Sequence, residues 1–301
     1  MAPSRPLGKN EPPSGVVATA TRTMRILCCL NRDLASNIAL NLLLPSLDGH
    51  DVRVGLSDRV GSVNSPTAEA PDRRELRVAE QSLPNEVLFP LIERAGLPDT
   101  GSRYLTFAEI ERYRGVRVAP LPNPNTPAGL EAVRAFAPDL ILTIRYGAIL
   151  QAPVISIPRL GVLNLHSGLL PDYRGVLATF RALLAGDSEI GCTLHYIADG
   201  TIDTGPIVDV ARMAVAPAQS LLWHILALYP LGIRLISTAL SKLNRGETLA
   251  TTAQVATEGG YYTYPTIDEW ADFKRRGWAT LRASDLHDVF RRYGPFEARV
   301  K

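Results

Sequence analysis

Cysteine is scarce in this sequence: Cys28, Cys29 and Cys192 are the only three in 301 residues. An odd number of so few thiols excludes a disulfide framework, and a reducing, cytoplasmic setting is the expectation. An excess of either charge is lacking too, since 32 basic against 30 acidic side chains leave a net +2. That balance gives no electrostatic footprint for nucleic acid and no grip on an anionic membrane surface. No uninterrupted apolar run reaches about 18 residues, so no bilayer span is expected. Residues 1–23 lack the apolar core of a secretory signal, and Pro3, Pro6, Pro12 and Pro13 oppose the amphipathic helix of an organellar leader. They read as a disordered tail. What is present, 46% hydrophobic and 21% charged residues, is the make-up of a globular chain long enough for one large domain and a small appendage.

Met24–Leu30 is a short apolar run, Ala35–Leu47 has helical period, and Asp51–Leu56 alternates as a strand. Strand, helix, strand opens a parallel α/β sheet. Residues 59–85 show no pattern and read as a loop, followed by a helix at Glu86–Ala95 and a strand at Gly115–Ala119. Thr126-Pro127 starts a helix that runs to Phe136. Asp139–Ile144 is apolar enough for a central strand buried on both faces. Further strands are predicted at Gly161–Leu165, Cys192–Ile197 and Pro206–Val210, with a helix at Gly175–Leu184 and a long apolar one at Ser220–Leu243. That long helix could pack on the core or bury against a second subunit, which leaves a homodimer open. The expected architecture is α/β, a Rossmann-like core with a mostly parallel sheet over residues 24–215. A small helical and aromatic C-terminal subdomain follows over 216–301. There the segment Tyr261-Tyr262-Thr263-Tyr264 is read first as packing on the core, and second as lining a substrate cleft.

Residues 161–175 read GVLNLHSGLLPDYRG. Alternation along a strand points Asn164 and His166 to one face, and the turn after them lies where open parallel sheets hold ligands. An amide and an imidazole there can stabilise an oxyanion and handle a proton. By itself such a histidine is more often structural. The second stretch, GCTLHYIADGTIDTGPIV over 191–208, adds weight, because its polar loop carries Asp199 and Asp203. A zinc site built from His166, His195 and Asp203 is the rival use of these residues; it is set aside for want of further ligands, and no metal is expected.

Together the two stretches resemble the folate-dependent formyltransferases that act on glycinamide ribonucleotide, methionyl-tRNA or sugar amines. The resemblance rests on Asn164-Leu165-His166, on Leu169-Leu170-Pro171-Asp172-Tyr173-Arg174-Gly175 and on Asp203-Thr204-Gly205, and runs over about residues 139–210. It implies a Rossmann-like formyltransferase core and 10-formyltetrahydrofolate as formyl donor. It implies Asn164, His166 and Asp203 as catalytic residues, with the first two donating to the oxyanion of a tetrahedral intermediate and Asp203 supporting the imidazolium. It places the pterin at Tyr146, Gly147, Ala148, Ile149 and Leu150 and at Ile197, Ala198, Asp199 and Gly200. Tyr173, Arg174 and Gly175 would meet the acceptor, and His195 would support the site or serve structure alone.

For the acceptor, the expectation is a primary amine of a small molecule, such as a nucleotide-linked amino sugar or a secondary metabolite, with no nucleic acid and no membrane as partner. The loop Leu30–Asn37 has no glycine to cradle a substrate phosphate, and Ser36 and Asn37 are read as helix caps. The near-zero charge counts against tRNA. The alternatives are a hydrolase releasing formate from the folate, a methionyl-tRNA formyltransferase, and a folate-binding protein without catalysis.

Overall fold

The computed structural model describes residues 23–57, 69–255 and 258–294; the predicted tail, residues 1–22 of it, lies outside them. In chain order, β1 (Arg25–Asn31), α1 (Leu34–Leu47) and β2 (Asp51–Ser57) open the fold. A helical stretch follows as α2 (Pro71–Arg77), two π-helical turns (Val78–Ser82 and Pro84–Leu88) and α3 (Phe89–Ala95). Then come α4 (Phe107–Arg114), β3 (Arg117–Pro120), α5 (Pro127–Phe136), β4 (Leu140–Ile144) and α6 (Ala152–Ile155). The chain continues through β5 (Val162–His166), β6 (Tyr173–Gly175), α7 (Ala178–Ala185), β7 (Glu189–Tyr196) and β8 (Ile207–Ala214). It ends with α8 (Leu221–Asn244), β9 (Gly260–Tyr262), α9 (Ile267–Arg275) and α10 (Ala283–Tyr293).

Seven strands form one sheet in the order β3-β2-β1-β4-β5-β7-β8. Its first five strands are parallel, and β7 and β8 extend it antiparallel. This is the mostly parallel, Rossmann-like sheet the sequence predicts. All five residues of β4 are buried, as its composition requires of a central strand.

The two faces of the sheet are covered unequally. Along β1, Ile26, Cys28 and Leu30 enter a large core with α1, α8, α9 and α10, while Leu27 and Cys29 enter a small one with Val133 and Phe136 of α5 and Val154 of α6. Period-two alternation carries that division across the sheet. Leu142, Leu163 and Leu194 face the thick layer, so Thr143, Asn164 and His195 face the thin one. Burial pushes the Cys28 thiol up to about 12, so it behaves as a small core hydrophobe.

Residues after 216 share the thick core with α1. The buried face of α8, from Leu221 to Leu243, joins it, as do Trp270 and Phe273 of α9 and Tyr293 of α10. By length and composition α8 could cross a membrane, but 56% of its apolar stretch is buried inside the fold. Gly232 lets it lie against β5: a Cβ there would come 2.6 Å from Leu165 Cδ2.

Two sequence expectations are corrected. Residues 71–85 are helical where a loop was expected, because Leu76, Ala79, Leu88 and Ile92 bury a stripe that intervening charges and prolines obscure. Pro84 has no N–H to give, and its ring crowds the carbonyl four residues back; the chain widens into π turns around it, with Leu83 N–H reaching Val78 O. The cap of α1 is Asp33, whose Oδ1 accepts from Ser36 N–H at 2.7 Å, while Ser36 and Asn37 are buried inside the helix.

Candidate active site

Asn164 and His166 lie two apart on β5, with His166 at its carboxyl end. Register lines up Thr143, Asn164 and His195 as direct neighbours on three adjacent strands, and a hydrogen-bond chain runs along that row. Thr143 Oγ1 donates to Asn164 Oδ1 at 2.7 Å, and Asn164 Nδ2 lies 3.0 Å from His195 Nε2. His195 Nδ1 lies 2.9 Å from the Tyr196 carbonyl, which can only accept. So Nδ1 carries a proton, and Nε2 faces both the Asn164 amide and the Asp203 carboxylate. His195 therefore sets how Asn164 is presented.

His166 is 7% exposed. Its Nε2 donates to the Tyr173 carbonyl at 2.7 Å, and its Nδ1 lies 3.4 Å from Asp203 Oδ2. Both ring nitrogens face acceptors, the arrangement an imidazolium prefers. Asp203 Oδ1 lies 3.4 Å from Asn164 Nδ2 and 3.5 Å from His195 Nε2. Burial opposes the charge on Asp203, but His166, then His195, and the Gly175 N–H donating at 2.9 Å outweigh it and bring the carboxyl down to about 2. The carboxylate is thus held ionised against the imidazole.

The backbone at Asp203 is left-handed, with φ of 55°, a conformation that costs a non-glycine residue about 1–3 kcal/mol and gathers at functional sites. Gln254 Nε2 holds it by donating to the carbonyls of Asp203 at 3.0 Å and Gly205 at 2.6 Å. A Cβ at Gly205 would lie 1.8 Å from the Tyr196 carbonyl, so only glycine lets the loop turn there.

A cleft of about 590 Å³ opens beside these groups. Of the residues assigned to the pterin, Tyr146, Gly147, Ala148, Ile149, Leu150, Ile197 and Asp199 line it, whereas Ala198 and Gly200 do not. Tyr146 and Ile197 rest on the thin core, which gives this wall a rigid apolar backing. Some backbone groups there are already engaged: Gly147 N–H with Ser57, the Ile149 carbonyl with Asn125. The volume and mixed lining fit a ligand of drug-like size such as a pterin.

Gly175 also lines the cleft, but the side chains of Tyr173 and Arg174 turn elsewhere. Tyr173 donates to Asp187 at 2.6 Å, and Arg174 Nη2 to the Glu258 carbonyl at 3.1 Å. Their strand, β6, pairs with β9. That pairing brings Tyr261 and Tyr264 to the cleft and stacks Tyr262 on Tyr173, so the aromatic segment is a wall as well as packing. Sequence reading missed Thr143, Glu80 and Arg145, all of which line the cleft. The one available signal was Thr143, a lone hydroxyl in an otherwise apolar strand.

Comparison with known proteins agrees with this geometry. Residues 122–222 match the family model for formyl transferase. The methionyl-tRNA formyltransferase of Methylobacterium nodulans is 38% identical over 180 residues, 59% of this chain and 56% of that protein. The one from Burkholderia multivorans is 40% identical over 127 residues, 42% of this chain and 38% of that protein. The chain thus spans about half the length of the curated relatives it matches. Among solved structures, glycinamide ribonucleotide transformylase 1 from Symbiobacterium toebii shares the fold with a TM-score of 0.53 at 18% identity, over 77% of this chain and 95% of that one.

These relatives overturn the expectation of a small-molecule acceptor with no nucleic acid as partner, because they are methionyl-tRNA formyltransferases. Net charge misled because it averages the whole surface, whereas a nucleic acid meets only a local part of it. Motif and relatives agree for the segment that carries the site: residues 122–222 match the formyl transferase family model, and the chain is similar to folate-dependent formyltransferases over about half the length of those relatives.

Proposed function

We propose that the protein transfers a formyl group from 10-formyltetrahydrofolate to the amino group of methionyl-tRNA. The observation that carries formyl transfer is the cluster at the carboxyl end of β5 in which Asp203 lies 3.4 Å from both Asn164 and His166. The methionyl-tRNA formyltransferases among its relatives support the acceptor. Arg73 and Arg77 on the cleft wall supply positive charge where a phosphate backbone would approach.

In this reading the folate supplies an electrophilic formyl carbon, and the chain does the rest. Asn164 turns its long, weak contact with Asp203 into a hydrogen bond to the formyl oxygen as that oxygen gains charge. His166, whose Nδ1 faces Asp203 Oδ2 at 3.4 Å, adds a second donor beside it and hands a proton to the departing nitrogen. Asp203 then accepts the proton released by the attacking amine, directly or through a water. No side-chain nucleophile is needed. Losing one donor of such a pair costs about 3–4 kcal/mol in other enzymes.

Incubation of the protein with 10-formyltetrahydrofolate and methionyl-tRNA tests the proposal. Formylmethionyl-tRNA should form only when both are present. Formate release that needs no amine would replace the transferase by a hydrolase, and folate binding without turnover would leave a binding protein. Turnover with a nucleotide-linked amino sugar and none with methionyl-tRNA would overturn the acceptor.

A further inference from the structure

A second polar cluster opens on the same cleft. Arg145 follows β4 with a left-handed backbone, φ of 56°. Its Nε donates to Asp33 Oδ2 at 2.8 Å, and its Nη2 lies 3.0 Å from Glu80 Oε1. Asp33 is well supplied, since it also accepts from Ser36 N–H at 2.7 Å and Asn31 Nδ2 at 3.0 Å. Glu80 is not. Its side chain is 7% exposed, and Oε1 finds no aligned hydrogen-bond donor despite the nearby guanidinium. The π turn Val78–Ser82 carries it into the cleft wall, and single π turns are frequent at functional sites.

Two carboxylates share one guanidinium here, so the buried cluster is one positive charge short. Buried charge of that kind needs a partner or a proton. Burial, opposed by Arg145 and reinforced by Asp33, raises the Glu80 carboxyl above the usual range. Tyr229 from α8 is the other titratable group that interacts with it, while Arg73 and Arg77 from α2 line the same cleft. The two α2 arginines both lie within ion-pair range of Glu69.

We infer that Glu80 is the docking point for the acceptor's ammonium group. The ammonium supplies the missing charge, leaves one proton on the carboxylate, and so presents a nitrogen lone pair to the formyl carbon beside Asn164 and His166. That proton passes to solvent once the formylated product departs. The inference rests on the formyl-transfer reading and adds the side chain that recognises the amine.

The test uses the full chain and two variants, Glu80→Gln and Glu80→Asp, with methionyl-tRNA as acceptor. Affinity for 5-formyltetrahydrofolate, an unreactive isomer of the donor, reports on the folate site. Glu80→Gln should lower kcat/KM for the acceptor at least tenfold, chiefly through KM, with folate affinity within twofold of wild type. Glu80→Asp, which keeps the charge, should recover most of that loss. A fall in kcat/KM smaller than tenfold in Glu80→Gln, or a parallel loss of folate affinity in both variants, would overturn the inference. Wild-type protein that neither binds the folate nor transfers formyl would sink the underlying reading instead.

Discussion

The two faces of the sheet use the same alternating strands for opposite ends. On one face Cys28, Leu142, Leu163 and Leu194 meet α1 and α8 and vanish into a core that also holds the C-terminal helices. On the other, Thr143, Asn164 and His195 form a polar row, and α5 and α6 cover only the flank. Period-two alternation guarantees that a strand can serve both faces at once. Thick cover supplies stability on one side, and thin cover leaves room for a cleft on the other. Substitutions on the two faces should therefore separate stability from turnover.

The largest effect is expected on the thick face. Phe273 is fully buried, with ring centroids of Phe180 and Trp278 at 4.7 and 6.0 Å. Phe273→Ala should cost about 3–5 kcal/mol of stability, read by urea denaturation, while kcat per folded molecule stays within twofold. Next come His166→Ala and Asp203→Ala, each expected to cut formyl transfer at least a hundredfold, or about 2.7 kcal/mol, with the fold retained by circular dichroism. Activity within tenfold of wild type in either variant would remove the proposed roles.

A smaller effect is tied to pH. The Asp203 carboxyl is depressed to about 2 in the folded protein, so its contribution is present above the unfolded carboxylate pKa of about 4 and is lost as pH falls through the folded value. Asp203→Asn should therefore be less stable than wild type at pH 7 by up to about 2 kcal/mol. Denaturation curves for the two proteins should converge between about pH 4 and pH 2. A gap that widens towards acid would reverse the assignment. Smallest is Thr143→Val, which removes the donor to Asn164 Oδ1. It should cost about 1 kcal/mol, read as a fivefold to tenfold fall in kcat with little change in KM. An unchanged kcat would mean that Asn164 needs no help in orientation.

What was legible in the sequence follows from the range of the interactions. Asn164 and His166 share a face by strand parity, a rule that acts over two residues, and the loop bearing Asp203 announces itself through Asp, Thr and Gly. β4 betrays its central place by apolarity alone. The cluster of Asp33, Glu80 and Arg145 joins three segments that only the β3-β2-β1-β4 order brings together, so no local pattern could show it. The helical stretch over 71–85 was hidden because Pro84 and a run of charges interrupt its period, whereas Glu86–Ala95 beyond them was legible. The acceptor was misjudged from net charge, a property of the whole chain that says nothing about one rim.

The most direct test of the central claim is single-turnover formyl transfer from 10-formyltetrahydrofolate to methionyl-tRNA by wild type and by Asp203→Asn, at saturating folate. The account predicts formylmethionyl-tRNA with wild type and at least a hundredfold slower transfer with the variant, at equal folate affinity. Equal rates for the two proteins, or no transfer by wild type despite folate binding, would contradict it.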